Sequence, residues 1–209
     1  MNQQISFSRE VIRKLFHLFL LILPIGYHFL GKWRALAVVV PMTGLVLAAD
    51  HYRNRNLTVK FWFEKFFKPI LRSHELEGGK FCGATWVALA TCSVFFIGSE
   101  EIVVAALAIL AICDSAAAIV GRSFVSQPFF EKTRAGSIAF YISGLVVLFF
   151  CGAIYESGIW FYLFGFFALF CATIIEARPS FFNIDDNFTI PVSFAVIMMM
   201  FNIMWNYNY

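Results

Sequence analysis

The feature that most constrains this chain is a series of seven apolar blocks, separated by polar breaks, within 209 residues. Each block is roughly as long as the 17–25 residues that carry an α-helix across about 30 Å of hydrocarbon. Lipid offers no partner for an unpaired backbone N–H or C=O group, so every block is expected to be helical. The sequence therefore predicts an all-α, polytopic membrane helix bundle that forms a single domain over residues 1–209.

The composition agrees with this interpretation. The chain is 60% hydrophobic and 14% charged, whereas soluble domains carry about 25% charged residues. The first block follows basic residues but has no A-x-A cleavage site before Lys32, which favours a retained span over a signal peptide. The predicted spans cover residues 13–30, 34–49, 81–98, 102–120, 137–155, 159–175 and 189–205.

The distribution of basic residues predicts the orientation. If the N-terminus is cytoplasmic, the loops on that side hold 14 of the 16 lysines and arginines: 3 in residues 1–14, 7 in 50–80, 3 in 121–136 and 1 in 176–188. Cytoplasmic loops of membrane proteins carry such an excess. With an odd number of spans, we expect the C-terminus on the opposite side.

The longest polar break contains a segment that is not a span. In residues 57–72, Lys60, Glu64 and Lys68 recur every fourth position, with aromatic residues on the other faces. This pattern predicts an amphipathic helix that lies in the cytoplasmic headgroup region or covers the bundle as a surface helix. Pro69 should end or kink it.

Polar residues inside the spans, or at their ends, fall almost entirely on the predicted cytoplasmic side. Charged groups within a bilayer are costly and mark functional sites by default. Arg13, Lys14 and His17 share one surface of the first helix because they are three and four residues apart. Basic residues here also serve as orientation anchors, but His17 lies inside the apolar run and needs a partner.

Asp114 is the most informative of these residues, because it follows twelve mostly aliphatic positions. The small residues Ala118 and Gly121 fall on its helical face, and small residues let helices approach closely. A structural ion pair with a lysine or arginine is the alternative to a functional carboxylate. Ligands from other helices are expected within reach of Asp114.

Two further groups stand where spans begin. Lys132, Arg134, Gly136 and Ser137 open one span, and free N–H groups with the helix dipole would form an anion site there. The run 183–191 (NIDDNFTIP) opens the last span, with Asp186 or Asn187 expected as the N-cap.

Capping explains one acidic residue of that run but not the whole Asp-Asp-Asn sequence. Carboxylate and amide oxygens suit Mg²⁺, which commonly takes one or two carboxylates plus substrate phosphates. The chain has no C-x-x-C or H-E-x-x-H pattern, which argues against zinc, and no Walker-type phosphate loop. Carboxylates, cations and an anion site on one membrane face fit phosphoryl transfer from a nucleotide.

At these positions the sequence resembles the polyprenol kinase family, which comprises dolichol kinases, phytol kinases and CTP-dependent diacylglycerol kinases. Four segments in the same order and spacing carry the resemblance over most of the chain: 13–17 (RKLFH), 113–122 (CDSAAAIVGR), 132–137 (KTRAGS) and 185–191 (DDNFTIP). The family usually has glycine before the aspartate, where this chain has Cys113. The extra side chain narrows the approach to Asp114 without removing the rest of the motif.

The resemblance implies a single transmembrane catalytic domain that transfers the γ-phosphate of CTP to the hydroxyl of a membrane lipid alcohol. The divalent metal, Mg²⁺ in our interpretation, would be held by Asp114, Asp185, Asp186 and Asn187. Asp114, His17 and Asp186 are the expected catalytic residues, and any of the carboxylates could be the base. The expected nucleotide-binding residues are Arg13, Lys14, Lys80, Arg122, Lys132, Arg134, Gly136 and Ser137.

Two other functions stay open at this point. A cytidylyltransferase that makes a CDP-lipid could use the same pocket, although its C-terminal signature is absent. A transporter could also carry buried charges, but transporters usually show internal repeats and midplane sites. The expected partners are the bilayer, a nucleoside triphosphate and a lipid alcohol, with no nucleic acid. The acceptor's identity and the oligomeric state do not follow from the sequence.

Overall fold

The structure is a computed structural model that describes residues 7–53, 55–67, 81–182 and 184–206. Most of these residues are helical. The α-helices are α1 (Phe7–Leu18), α2 (Ile22–Leu30), α3 (Lys32–Arg53), α4 (Leu57–Phe67), α5 (Gly83–Ile97), α6 (Glu100–Ala108), α7 (Asp114–Ser123), α8 (Arg134–Ile154), α9 (Ile159–Ala177) and α10 (Asp186–Asn206).

Short elements join some of these helices. A 3₁₀ turn (Phe19–Leu21) links α1 to α2, a π-helical turn (Ile109–Cys113) links α6 to α7, and a second 3₁₀ turn (Pro179–Phe182) follows α9. Between α7 and α8, strands β1 (Pro128–Phe129) and β2 (Lys132–Thr133) pair antiparallel. This short hairpin, with two residues in each strand, is a small addition to the predicted all-α fold.

All seven predicted apolar blocks are helical, and several are long enough to cross a bilayer. Six segments within the described residues are both long enough and apolar enough to cross a bilayer: Arg13–Leu30, Lys32–Arg53, Glu100–Ser123, Arg134–Ile154, Ile159–Ala177 and Asp186–Met204. The remaining block, α5, is apolar but has 15 residues. The chain therefore has the helices of a multi-pass membrane protein, and the count of seven spans is not confirmed.

The continuous segment Glu100–Ser123 is the centre of the bundle. Its most apolar stretch is 72% buried, against 39% or less for the other five candidate spans of the described chain. It contacts α1, α2, α8 and α10. Large apolar side chains such as Phe19, Trp33 and Phe149 are exposed on the outer helices, as expected where lipid covers the surface.

The turn between α2 and α3 is tighter than the sequence indicates. The predicted polar break at 31–34 shrinks to Gly31, because α3 already begins at Lys32. Gly31 has φ 72°, a backbone conformation that glycine adopts without a Cβ penalty. Helix α3 then runs four residues past the predicted span, to Arg53.

A helix is confirmed over Leu57–Phe67, and residues 68–72, with Pro69, lie outside the described residues. Its predicted place in the headgroup region stays a prediction. A buried pair of Asp50 and Arg53 anchors it to the bundle. The Arg53 guanidinium lies 4.7 Å from the Phe63 ring centre, and Asp50 accepts a hydrogen bond from the N–H of Cys82 at 2.8 Å. Asp50 thus joins α3, α4 and the start of α5.

Candidate active site

Polar side chains from separate parts of the chain meet at the end of the bundle where α8 begins and α9 ends. We call this group the buried polar cluster. Its members are Lys14, His17, Asp114, Lys132, Glu176, Asp186 and Asn187. They come from α1, α7, β2, α9 and α10, so the fold brings together residues up to about 170 positions apart in sequence.

An ion pair between α1 and α7 forms the core of the cluster. The Lys14 ammonium donates to Asp114 Oδ2, and the two residues are 4% and 5% exposed. Removing both charges from water costs several kcal/mol per ion before their attraction repays it. The structural alternative, an ion pair between Asp114 and a lysine, is therefore present in the structure. A functional role for Asp114 depends on the other groups that surround this pair.

The π-helical turn Ile109–Cys113 ends immediately before Asp114. Such a turn inserts one extra residue, which rotates the following side chains by about 100° relative to an unbroken α-helix. The Ser115 hydroxyl donates to the carbonyl of Ala111 at 2.7 Å, so a carbonyl of the irregular turn is satisfied. The apolar sequence of the turn carries no marker of this geometry, and sequence reasoning missed it.

His17 connects Asp114 to the start of α10. Its Nε2 lies 2.9 Å from Asn187 Oδ1, and its Nδ1 lies 3.4 Å from Asp114 Oδ2. Because the amide oxygen accepts, Nε2 is the donor. Nδ1 faces the carboxylate without a hydrogen bond to it. The expectation that His17 needs a partner inside the apolar run is confirmed, and its partners come from two of the four motif segments.

The N-cap of α10 differs from the prediction. Asp185, rather than Asp186 or Asn187, caps the helix, because α10 begins at Asp186 and the Asp185 Oδ1 accepts from the N–H of Asn187 at 3.0 Å. Capping thereby accounts for Asp185. Asp186 and Asn187, each 8% exposed, belong to the buried polar cluster instead.

Lys132 joins two carboxylates. Its Nζ lies 3.2 Å from Glu176 Oε1 and 3.8 Å from Asp186 Oδ2. The Lys132 side chain is 34% exposed. Its partial burial lowers its pKa, but Glu176, Asp186 and Asp114 together outweigh this effect and hold the pKa above its usual value. This stabilisation is present below the unfolded pKa of about 10.4 and is lost only as the pH rises through the higher folded value.

Glu176 is the member of the cluster to which the sequence assigned no role. It lies in the last turn of α9 and is 2% exposed. Its Oε1 contacts Lys132, while its Oε2 has no hydrogen-bond partner among the described residues. An acid at the end of an apolar span is commonly a boundary residue. Its depth and its lysine partner depend on packing that the sequence does not reveal.

The predicted anion site at the start of α8 is wrong in its premise of free N–H groups. The N–H of Arg134 donates to the carbonyl of Gln127 at 3.0 Å, and that of Ala135 to the Ser126 hydroxyl at 3.0 Å. The N–H of Gly136 donates to Thr133 Oγ1 at 3.2 Å. The segment before α8 therefore satisfies these donors, and the prediction of an anion site here now depends on the side-chain cations of the segment alone.

Gly136 serves helix packing. A Cβ at Gly136 would lie 3.0 Å from the carbonyl oxygen of Ala117 and 3.4 Å from the Cα of Gly121. The two glycines thus let α7 and α8 pack closely, as predicted for small residues beside Asp114. This contact fixes Lys132, at the start of the same segment, relative to Asp114.

The other predicted site residues lie at different distances from the cluster. Arg13 acts electrostatically on His17, one turn away on the same helix. Arg122 is exposed, roughly 12 Å along the helix axis from Asp114. Arg134 and Ser137 line a slot between α8 and α9. Lys80 lies outside the described residues.

The carboxylates of the cluster suit Mg²⁺ by ligand type, although the described structure does not draw the predicted ligands Asp114, Asp185 and Asp186 into one metal-binding group. Within the described chain, no three His, Cys, Asp or Glu side chains form a metal-binding group. Two carboxylates, Glu176 and Asp186, converge on the Lys132 ammonium, and Asp114 is within electrostatic range of both Lys132 and Asp186. Mg²⁺ is usually bound by one or two carboxylates plus substrate phosphates rather than by a complete protein cage.

The chain has relatives of unknown activity. An uncharacterized protein of Rickettsia prowazekii is 27% identical over 204 residues, which cover 94% of this chain and 96% of the relative. An uncharacterized protein of Methanocaldococcus jannaschii is 29% identical over 147 residues, covering 66% of this chain and 71% of that protein. No protein-family model and no solved structure matches the chain. The first similarity extends over nearly the full length of both proteins.

Proposed function

We propose that this chain is a membrane-embedded phosphotransferase that moves the γ-phosphoryl group of CTP to the hydroxyl of a lipid alcohol. The observation that carries the proposal is the buried polar cluster, in which three carboxylates and two lysines from distant segments meet within an apolar bundle. A group of ionised residues this deep is costly. Phosphoryl transfer uses such a group, because its catalysis depends on positioning and electrostatic stabilisation.

The charges divide naturally between a metal and a triphosphate. Asp186 and Asp114 would hold Mg²⁺, which neutralises the phosphate charge when bound. Lys132 and Lys14 would then turn from their carboxylate partners toward the phosphate oxygens. Arg13 and the exposed Arg122 and Arg134 would guide the anionic nucleotide to this end of the bundle.

A carboxylate of the cluster would take the proton as the acceptor oxygen bonds to the γ-phosphorus. The bond from that phosphorus to the bridging oxygen of the β-phosphate breaks, and CDP leaves. Glu176 is the best placed for this role, because one of its oxygens is buried without a partner among the described residues. His17, held by Asn187 and lying beside Asp114, would position the acceptor hydroxyl.

The proposed orientation follows from the basic residues. The loops at the end that carries the cluster hold most of the lysines and arginines, so this end would face the cytoplasm. CTP would then reach the cluster from the aqueous side. The acceptor would reach it from the bilayer, and no exchange of lipid through water is required.

A label-transfer assay tests the proposal. The purified protein in lipid nanodiscs is given γ-labelled CTP, Mg²⁺ and mixed lipid alcohols, and labelled lipid is extracted and counted. We expect transfer by the natural protein and a loss of about 10²–10³-fold in Asp114→Asn. Glu100→Gln changes an exposed acid on the same span and should retain activity within about twofold. Absence of a labelled acceptor, or full activity in Asp114→Asn, would contradict the proposal.

A further inference from the structure

The outer surface of the bundle has a slot between α8 and α9, beside the buried polar cluster. Its volume is about 500 Å³. Ile138, Ile142 and Phe170 line it and are 58%, 55% and 54% exposed, respectively. Exposed apolar side chains on a spanning helix face lipid, so the slot opens sideways toward the bilayer.

The slot is polar at one end and apolar at the other. Arg134, Ser137 and Thr173 lie at the level of the buried polar cluster, while Ile142 lies roughly 12 Å further along α8 from Arg134. A molecule that matches this gradient has a polar group at the membrane surface and a hydrocarbon chain directed inward. A lipid in the leaflet nearest this end of the bundle would place its polar group and its hydrocarbon chain in the same order along the slot.

Ser137 supplies an independent sign of a ligand. The residue is 5% exposed, lines the slot, and its hydroxyl has no hydrogen-bond partner among the described residues. By contrast, the Thr173 hydroxyl donates to the carbonyl of Leu169 at 2.8 Å. A buried hydroxyl without a partner is costly. A hydroxyl-bearing ligand at the polar end of the slot would satisfy it by displacing the side-chain atoms that now cover the Ser137 oxygen.

The inner end of the slot is closed. Below Ile142, a Cβ at Gly144 would collide with the side chain of Leu169, so α8 and α9 are in close contact there. The remainder of a long chain must therefore leave the slot sideways into lipid. A single gap between two adjacent helices, open on one side, suits one hydrocarbon chain rather than two.

The slot is continuous with the buried polar cluster. Thr173 and Glu176 are three residues apart on α9, which places them on one face about 5 Å apart along the axis. Lys132 lies two residues before Arg134 in the chain. A hydroxyl held beside Ser137 and Thr173 would therefore lie next to the carboxylate and the cation proposed for the transfer.

We infer that this slot binds the acceptor as a single-chain lipid alcohol, with its hydroxyl at Ser137 and Thr173 and the first part of its chain along Ile138 and Ile142. The inference rests on the proposed function. It predicts that the protein recognises the part of the hydrocarbon chain nearest the hydroxyl. The length of the tail beyond the slot should affect binding little, because that part stays in the bilayer.

Photolabelling tests the inference without relying on turnover. The natural protein in nanodiscs is irradiated with an isoprenoid alcohol that carries a diazirine close to its hydroxyl, and labelled peptides are identified by mass spectrometry. We expect label within residues 134–142 and 170–174. Ile142→Trp should fill the slot and lower the label at least fivefold. Phe149→Trp changes an exposed residue two turns further along the same face and should leave it unchanged.

Ser137→Ala provides a second variant that leaves the slot open. It should raise the apparent KM for the alcohol about fivefold and that for CTP less, and the reverse order would overturn the inference. Label elsewhere on the bundle, equal labelling of Ile142→Trp, or preferential labelling by a diacylglycerol probe would overturn the inference. Transfer from CTP with label elsewhere rejects the slot but not the kinase. Label in the slot without transfer from CTP supports an alcohol-binding slot and rejects the kinase.

Discussion

The continuous segment Glu100–Ser123 carries an acid near each end of the bundle, and the two acids have opposite surroundings. Glu100 forms an outer group in which His28 Nδ1 lies 2.8 Å from its carboxylate and 2.9 Å from the Tyr155 hydroxyl. The side chains of His28 and Glu100 are each 44% exposed. Asp114 and Lys14 have side chains 7% and 5% exposed.

This difference is the reason we propose the buried polar cluster, rather than the outer group, as the functional site. The outer group keeps its contact with water or headgroups, so its ionic contacts cost little and contribute about 0–1 kcal/mol. The buried polar cluster must overcome a large desolvation cost, and hydrophobic residues of similar volume would often be at least as stable. A bundle that only needed stability would not require the buried cluster.

The largest expected difference between the two ends comes from removing one charge from each. Asp114→Ala leaves the buried Lys14 ammonium without its partner and should lower the free energy of unfolding by about 3–5 kcal/mol. Glu100→Ala should lower it by about 1 kcal/mol or less. Denaturation in detergent, followed by circular dichroism, measures both. Equal effects of the two changes would remove the distinction between the ends.

The double change Lys14→Met with Asp114→Leu sharpens the same test. Removing both charges should restore much of the lost stability while phosphoryl transfer stays at least about 10²-fold below that of the natural protein. The two readouts separate a functional ion pair from a structural one. A stable and active double variant would show that the pair is dispensable for catalysis.

Lys132→Met should have the next largest effect. It removes the cation between Glu176 and Asp186, so like charges face each other and CTP affinity should fall at least about tenfold. Lys32→Met is the matched control, because the Lys32 ammonium donates to the Phe96 carbonyl and is outside the cluster. Titration with a fluorescent CTP analogue in the presence of Mg²⁺ compares them. An unchanged affinity in Lys132→Met would exclude this lysine from the nucleotide site.

Gly136→Ala should have a smaller effect that acts through packing. The added methyl group would press on the Ala117 carbonyl and separate α7 from α8, at a cost of about 1–3 kcal/mol. Activity should fall with stability because Lys132 and Asp114 move apart. Gly158→Ala is the control, since a Cβ there has no neighbour within 4 Å among the described atoms. Thermal unfolding midpoints that match in the two variants would contradict the packing role.

The smallest effect is expected at the outer group. Tyr155→Phe removes a hydroxyl that donates to Glu100 at 3.2 Å and should cost about 0.5–1 kcal/mol. Phosphoryl transfer should be unchanged within about twofold. A strong loss of transfer, measured by the label assay, would mean that this end of the bundle takes part in the function.

The sequence predicted most of the residues that meet in the cluster, but it missed Glu176 and did not show how they meet. Asp114 and His17 interrupt apolar runs. Because polar side chains are costly in lipid, the sequence alone marks both residues as candidates for a functional site. The segment 185–187 has an unusual polar run before a span. The contacts of His17 with Asn187 and Asp114 agree with that expectation.

The missed features depend on three-dimensional packing. The π-helical turn before Asp114 has an ordinary aliphatic sequence. The first N–H groups of α8 are satisfied by Ser126, Gln127 and Thr133, whose positions depend on the segment before α8. The role of Glu176 depends on the rotation of α9, which spacing along one chain cannot define because almost every neighbouring residue is apolar.

The most direct test of the central claim is the identity of the released nucleotide. The purified protein is given CTP, Mg²⁺ and a single-chain lipid alcohol, and the nucleotide and lipid products are separated and counted. The account predicts one CDP for each phosphorylated lipid, with neither formed by Asp114→Asn. Release of pyrophosphate with a CDP-lipid, or no CTP-dependent product under these conditions, would contradict it.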